Sequence, residues 1–283
     1  MRKLISILAI PLVVAACTGS TTGTGAGAAS SALSPSAAPH YLIATGSDNL
    51  ILQIASEGGF ISPSFQLTRT PLLALYGDGR VIVPGPVDAA SPGPLLPNLR
   101  QQHITPAEIQ TILAAADAAG LLGPNVTYGG PGMPDAPNTV FRTTVASVTH
   151  LINASGTGVE AQTKLGAFEN SVLNLSGTLG RTVPDDGPYQ PAGFNVFSSV
   201  ASQPDATAPV VTWPLSADPA TAGGTTLVDG VRCLAAKGAD LTAFLAAAKT
   251  ATAGTIWKAP SGEFSVSVRP LYPEESGCAA VAG

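Results

Sequence analysis

Two kinds of punctuation divide this chain, and together they set its fold class. Gly77-Asp78-Gly79 separates Leu73 and Leu75 from Val81 and Val83. An Asp-Gly step between short aliphatic runs predicts a hairpin, because turns with positive φ match the twist of paired strands. Thr105-Pro106-Ala107-Glu108 predicts a helix start: Thr105 caps, Pro106 fits the first helical position and Glu108 completes a capping box. Ile109, Ile112, Leu113 and Ala116 then form a helical stripe, and Gly120 stops it. Around these markers, residues 50–56 read as a strand, 84–98 and 123–137 as Pro/Gly-rich loops, and Thr139 to Ile152 as one long strand or a hairpin. Thr157 and Glu160 form a second capping box, opening a helix through about Leu175.

The last third repeats this grammar. Phe194 to Val200, Pro209 to Trp213 and Leu227 to Cys233 read as strands, the last with a turn at Asp229-Gly230. Asp240 is placed to cap a helix carrying Leu241, Phe244, Leu245 and Ala248. A hairpin follows around Pro260-Ser261-Gly262. Hairpins outnumber strand–helix–strand crossovers, so the expected class is α+β: antiparallel sheets with helices packed on one face. The recurring strand–helix–strand order suggests two similar halves, 41–183 and 184–283, divided near Asp185-Asp186-Gly187.

Residues 1–40 stand outside this grammar. Met1-Arg2-Lys3 precedes an apolar stretch from Leu4 to Val14, and Leu12-Val13-Val14-Ala15-Ala16 ends on Cys17. The apolar run is about half of the roughly 20 residues a membrane-spanning helix needs. The pattern resembles the bacterial lipoprotein signal. That resemblance implies a signal peptide over 1–16, diacylglyceryl and palmitate-type acylation of Cys17, and a place on the extracytoplasmic face of the cell membrane. The partner it implies is the lipid bilayer, since two acyl chains anchor stably where one anchors only marginally. Residues 18–38 are almost wholly Thr, Gly, Ser and Ala, a composition that buries too little apolar surface to fold. The segment 17–40 is therefore read as the lipidated cysteine and its tether, reaching roughly 25–30 Å.

Once Cys17 is assigned to the lipid signal, Cys233 and Cys278 remain in a compartment that permits disulfides. They are expected to pair, which for a loop of about 45 residues stabilises the fold by roughly 4 kcal/mol. Two buried free thiols are the alternative. Charged residues make up 11% of the chain, against about 25% in typical soluble domains. The formal net charge of −5, with no basic cluster, argues against nucleic-acid binding.

Catalytic motifs are sparse. The chain has no G-x-S-x-G, Walker loop, H-E-x-x-H or S-x-x-K. Ser47-Asp48-Asn49 matches one β-lactamase element without its partners. His40, His103 and His150 are far apart in sequence, and Asp185-Asp186 and Glu274-Glu275 read as solvated turn residues. No metal or other cofactor is expected. Tyr128 is the candidate ligand-loop residue, because Asn125 to Gly132 is too poor in large side chains to bury it.

Leu75-Tyr76-Gly77-Asp78-Gly79-Arg80-Val81-Ile82 and Val268-Arg269-Pro270-Leu271-Tyr272-Pro273-Glu274-Glu275 resemble segments of a family of secreted proteins and lipoproteins from high-GC bacteria. That family has no assigned activity, so the resemblance carries over no catalytic residue. The favoured expectation is a non-enzymatic module that binds a protein, a glycan or a small ligand. Two alternatives stay open. One is a hydrolase whose site joins His103 or His150 to a distant Ser and a carboxylate. The other is a protease inhibitor presenting loop 84–98 or 123–137.

Overall fold

A computed structural model describes residues 39–278, except 88, 130–135, 156–159, 203–206, 224, 225 and 229. Cys17, the signal and the tether lie outside the described residues, as does Thr157 of the second capping box. From Pro39 onward the chain forms one unit. It contains two mostly antiparallel sheets with helices, so the α+β expectation holds.

The first sheet is built by β1 (Leu50–Glu57), β2 (Leu73–Tyr76), β3 (Arg80–Pro84) and β4 (Leu99–His103), then β5 (Val126–Tyr128), β6 (Asn138–Val145), β7 (Val148–Ala154) and β8 (Asp185–Pro188). Its order is β5-β7-β6-β1-β2-β3-β4-β8, with only β5 and β7 parallel. The β2–β3 turn forms where Gly77-Asp78-Gly79 predicts it. A Cβ on Gly77 would lie 1.9 Å from the Ala44 carbonyl oxygen, and Gly79, at φ +94°, would bring one to 2.2 Å from that of Ile104. Both positions therefore need glycine.

One face of this sheet carries Leu52, Ile54, Leu73, Leu75, Val81, Phe141 and Ile152. Against it pack α2 (Pro106–Ala118), through the predicted stripe Ile109, Ile112, Leu113 and Ala116, and α3 (Glu160–Leu173), through Leu165, Phe168 and Val172. Both capping-box bonds of Thr105 and Glu108 are present. A shorter helix, α4 (Leu175–Leu179), follows α3 and ends at Gly180, φ +63°. The opposite face presents Ala74, Tyr76, Ile82 and Leu99, which close on Tyr189 and Tyr272.

The second sheet comprises β9 (Gly193–Val200), β10 (Val210–Thr212), β11 (Thr226–Val228), β12 (Val231–Lys237), β13 (Ile256–Ala259) and β14 (Gly262–Pro270), in the order β10-β13-β14-β9-β12-β11. α5 (Gly238–Ala248) sets Phe244 against Phe194 and Trp257 on one face. Its N-cap position is Lys237 rather than Asp240, which instead adds negative charge to the first turn. Both sheets end in a parallel outer pair, but their strand orders differ: β6, the first strand of its hairpin, pairs with β1, whereas β14, the second of its hairpin, pairs with β9.

The chain crosses between sheets after Pro188, because β8 still pairs with β4. The crossing also works in reverse. Leu95, from the Pro-rich loop of the first half, is buried in the second core, where its N–H donates to the Ala251 carbonyl. Between β1 and β2 the short helix α1 (Pro63–Thr68) sends Leu67 to Phe197 and Cys233 of the second sheet. The Cys233–Cys278 disulfide forms beside them. No helix among the described residues is long and apolar enough to cross a membrane.

Candidate functional site

Alternation along two central strands of the first sheet sets the floor of the main cleft. In β1 and β6, Leu52, Ile54, Phe141 and Thr143 are buried, so Gln53, Ala55, Glu57 and Arg142 face the other way. Gln53 lies opposite Arg142, and Glu57 opposite Asn138. Gln53, Ala55, Glu57 and Arg142 line a cleft of about 520 Å³.

One wall is the excursion between β1 and β2. Gly58 and Gly59 take φ of +66° and +86° as the chain leaves the sheet. The Ser62 hydroxyl then accepts from the Phe65 N–H at 3.3 Å and caps α1. Arg69 ties the excursion back through Nη1, which donates to the Ser56 and Gly58 carbonyls at 2.9 Å each. Gln66, Leu67 and Thr70 face the cleft from this wall. Phe60 and Phe65, on the same segment, are 88% and 58% exposed.

The other wall comes from the C-terminal end of the second sheet. Arg269 donates through Nη1 and Nη2 to the Glu275 carboxylate at 2.8 and 2.6 Å, and through Nε to the Arg69 carbonyl at 3.0 Å. Glu275 also accepts from the Tyr272 N–H at 3.0 Å. The side chains of this ion pair are 10% and 9% exposed. Next to it, the Tyr76 hydroxyl donates to Glu274 at 2.8 Å. Much of Glu274 is solvent-accessible, but its carboxylate sits against the tyrosines. Desolvation raises its pKa above the usual carboxylate range. Burial, and then the charge of Glu274, pushes the Tyr76 phenol up, and burial carries Tyr189 to about 12. Glu274-Glu275 is thus not the solvated pair that its sequence setting suggests. One carboxylate closes a buried ion pair and the other takes a tyrosine hydroxyl.

The remaining candidates are dispersed. Cys233 and Cys278 are bonded, Cα to Cα 5.9 Å. Tyr128 lies not in an irregular loop but in edge strand β5, half-buried against the first core, where its carbonyl accepts from the Ser155 N–H at 2.9 Å. His103 meets Asp186 at 2.5 Å on exposed β4, and His150 meets the Gly123 carbonyl at 2.7 Å on β7. Four strands separate β4 from β7, about 24 Å at the usual spacing, so these two histidines share no site. Asp185 bonds to Arg100, which holds its carboxyl below the usual range. Among the described residues no group of three or more His, Cys, Asp or Glu is gathered for a metal. A second cleft of about 360 Å³, between the α3–α4 junction and β3–β4, is lined by Val83, Gln102, Leu173 and Asn174.

Sequence reasoning missed Glu57 and Arg142. The available signal was their polar character at outward positions of strands whose inward positions are aliphatic or aromatic, which marks a solvated face as readily as a site. Comparison with protein-family models, curated proteins and solved structures finds no match.

Proposed function

We propose that this protein is a lipid-anchored extracytoplasmic binding module, held to the cell membrane through acylated Cys17 and offering the cleft between its sheets to a ligand. The observation that carries this reading is the partition of the cysteines. Cys233 and Cys278 are spent on each other, and the third stands at the end of Leu-Val-Val-Ala-Ala. A structural disulfide suits a compartment outside the reducing cytoplasm. The Thr/Gly/Ser/Ala stretch after Cys17 suits a spacer.

Binding rather than turnover is favoured by how the cleft's groups are used. Arg269 and Glu275 saturate one another, and Glu274 holds the Tyr76 hydroxyl. The polar side chains left over on the floor and the α1 wall are hydrogen-bonding groups suited to holding a ligand.

Metabolic labelling with an alkyne fatty acid tests the anchor. Wild-type protein should carry the label, sediment with membranes and start at residue 17. Cys17→Ala should lose label and sedimentation together. A chain recovered from cytosol with Met1 intact and no acyl mass would overturn the proposal.

A further inference from the structure

The charged groups around the main cleft are unequally engaged. Arg69 and Arg269 are committed to carbonyls and to Glu275, and Glu274 and Glu275 accept from Tyr76, Arg269 and the Tyr272 N–H. Among the described residues, the side chains of Arg142 and Glu57 make no hydrogen bond or ion pair, and both residues are exposed. They are one unpaired cation and one unpaired anion on one face of one sheet. Gln53 stands opposite Arg142, and Glu57 is four residues further along β1, about 13 Å at the usual strand rise. The side chains of Gln53, Gln66 and Thr70, which line the same cleft, likewise make no hydrogen bond within the described structure.

We infer that the cleft binds a short peptide with both ends free, its carboxylate on Arg142 and its ammonium on Glu57. Three or four extended residues span about 10–14 Å, which matches the separation of the two charges. The amides of Gln53 and Gln66 and the hydroxyl of Thr70 complement the peptide's own N–H and C=O groups, which need partners once they leave water. A neutral sugar leaves both charges unanswered. An acidic sugar answers only Arg142, and a polyanion meets three glutamates across the cleft. A zwitterion of this length answers both free charges.

The ligand class rests on the binding-module reading for its context but not for its test. Binding is measured by titration calorimetry on the purified full chain with tetra-alanine, its N-acetyl form, its C-amide form and maltotriose. Tetra-alanine should bind, and each capped form should bind about tenfold or more weakly, as loss of one charge-assisted contact implies. Arg142→Gln should weaken tetra-alanine by the same factor and abolish the difference between free and amidated peptide. Glu57→Gln should do so for the acetylated form. Unchanged unfolding midpoints in both variants would show that the fold is intact. The inference is overturned if tetra-alanine does not bind at millimolar concentration, if capping changes nothing, if the variants keep full cap sensitivity, or if maltotriose binds as well. Each of these results is independent of whether Cys17 is acylated.

Discussion

Arg269→Met separates a structural arginine from a ligand-binding one. The substitution keeps an apolar stem but removes two bonds to Glu275 and one to the Arg69 carbonyl. Glu275, 9% exposed, is left with the Tyr272 N–H as its remaining partner. Removing one side of a buried ion pair costs about 3–5 kcal/mol, because the stranded charge has lost its water without compensation. For a domain of this size each kcal/mol lowers Tm by about 2–4 °C, so the drop should be about 6–20 °C. Glu275→Gln alone keeps an acceptor for the Tyr272 N–H but strands the guanidinium. The double variant strands neither charge and should be more stable than additivity requires, with a coupling of about 1–3 kcal/mol. Urea unfolding of the four proteins measures the cycle. An Arg269→Met loss below about 0.5 kcal/mol, the scale of an exposed pair, or strict additivity, would refute the claim that this pair is buried and mutually dependent. Arg142→Gln, on the open floor, should stay within about 0.5 kcal/mol of wild type in the same assay.

Cys278→Ser, or reduction, should cost about 4 kcal/mol by the chain-entropy argument for a separation of 45 residues, read as a lower urea midpoint that added reductant does not lower further in the variant. Thr105→Ala should cost about 1 kcal/mol in the same assay, since it removes one side of the capping box that opens α2. The pH dependence should show two opposing contributions. Glu274, raised by desolvation, binds its proton more tightly when folded, so its contribution to stability is largest below the unfolded pKa and declines as pH rises through the folded one. Glu274→Gln should therefore gain on wild type in unfolding experiments as pH is raised from about 4 to 7. Glu108, lowered to about 2 by Arg181 and the Thr105 N–H, contributes in full above its unfolded pKa and loses that contribution as pH falls toward 2. Glu108→Gln should flatten the acid limb of the stability profile.

What was legible in the sequence was local. Asp78-Gly79, Thr105 with Glu108, and Pro260-Ser261 each fix their element through bonds made within a few residues, and the hairpins and α2 form where those signals stand. Elements without local signatures were missed or left open. The β6–β7 turn uses Ala146 and Ser147 at φ 51° and 63°, a conformation normally marked by Gly or Asn, so the segment reads equally well as one strand. β4 and β8 carry charges rather than alternation. β4 is held by its ladder with β3 and β8 by its ladder with β4, with Arg100 on Asp185 and His103 on Asp186 across the latter. The disulfide followed from counting cysteines, whereas Tyr128 was judged by the small residues around it and not by β7, which pairs with β5 in space.

The cleft was illegible for a reason of another kind. Its floor comes from residues 53–57 and 142, one wall from 58–71 and the other from 269–275. Residues 53–71 supply most of the floor and one wall, but Arg142 and the 269–275 wall come from far along the chain, so no window of sequence contains all three sides. They meet because each half sends a segment into the other: α1 places Leu67 on the second sheet, and Tyr272 stacks with Tyr189 at 6.2 Å over Tyr76 of the first. The charged groups at the junction take partners there, because a charge that loses water without compensation is costly. Arg269, Glu275 and Glu274 fall into that class. Arg142 and Glu57 lie beyond the junction, where solvent satisfies them and a ligand can replace it. The division between structural and recognition charges is therefore set by position across the seam. The variants that probe the two classes should separate accordingly, one changing unfolding and the other changing only what the cleft holds.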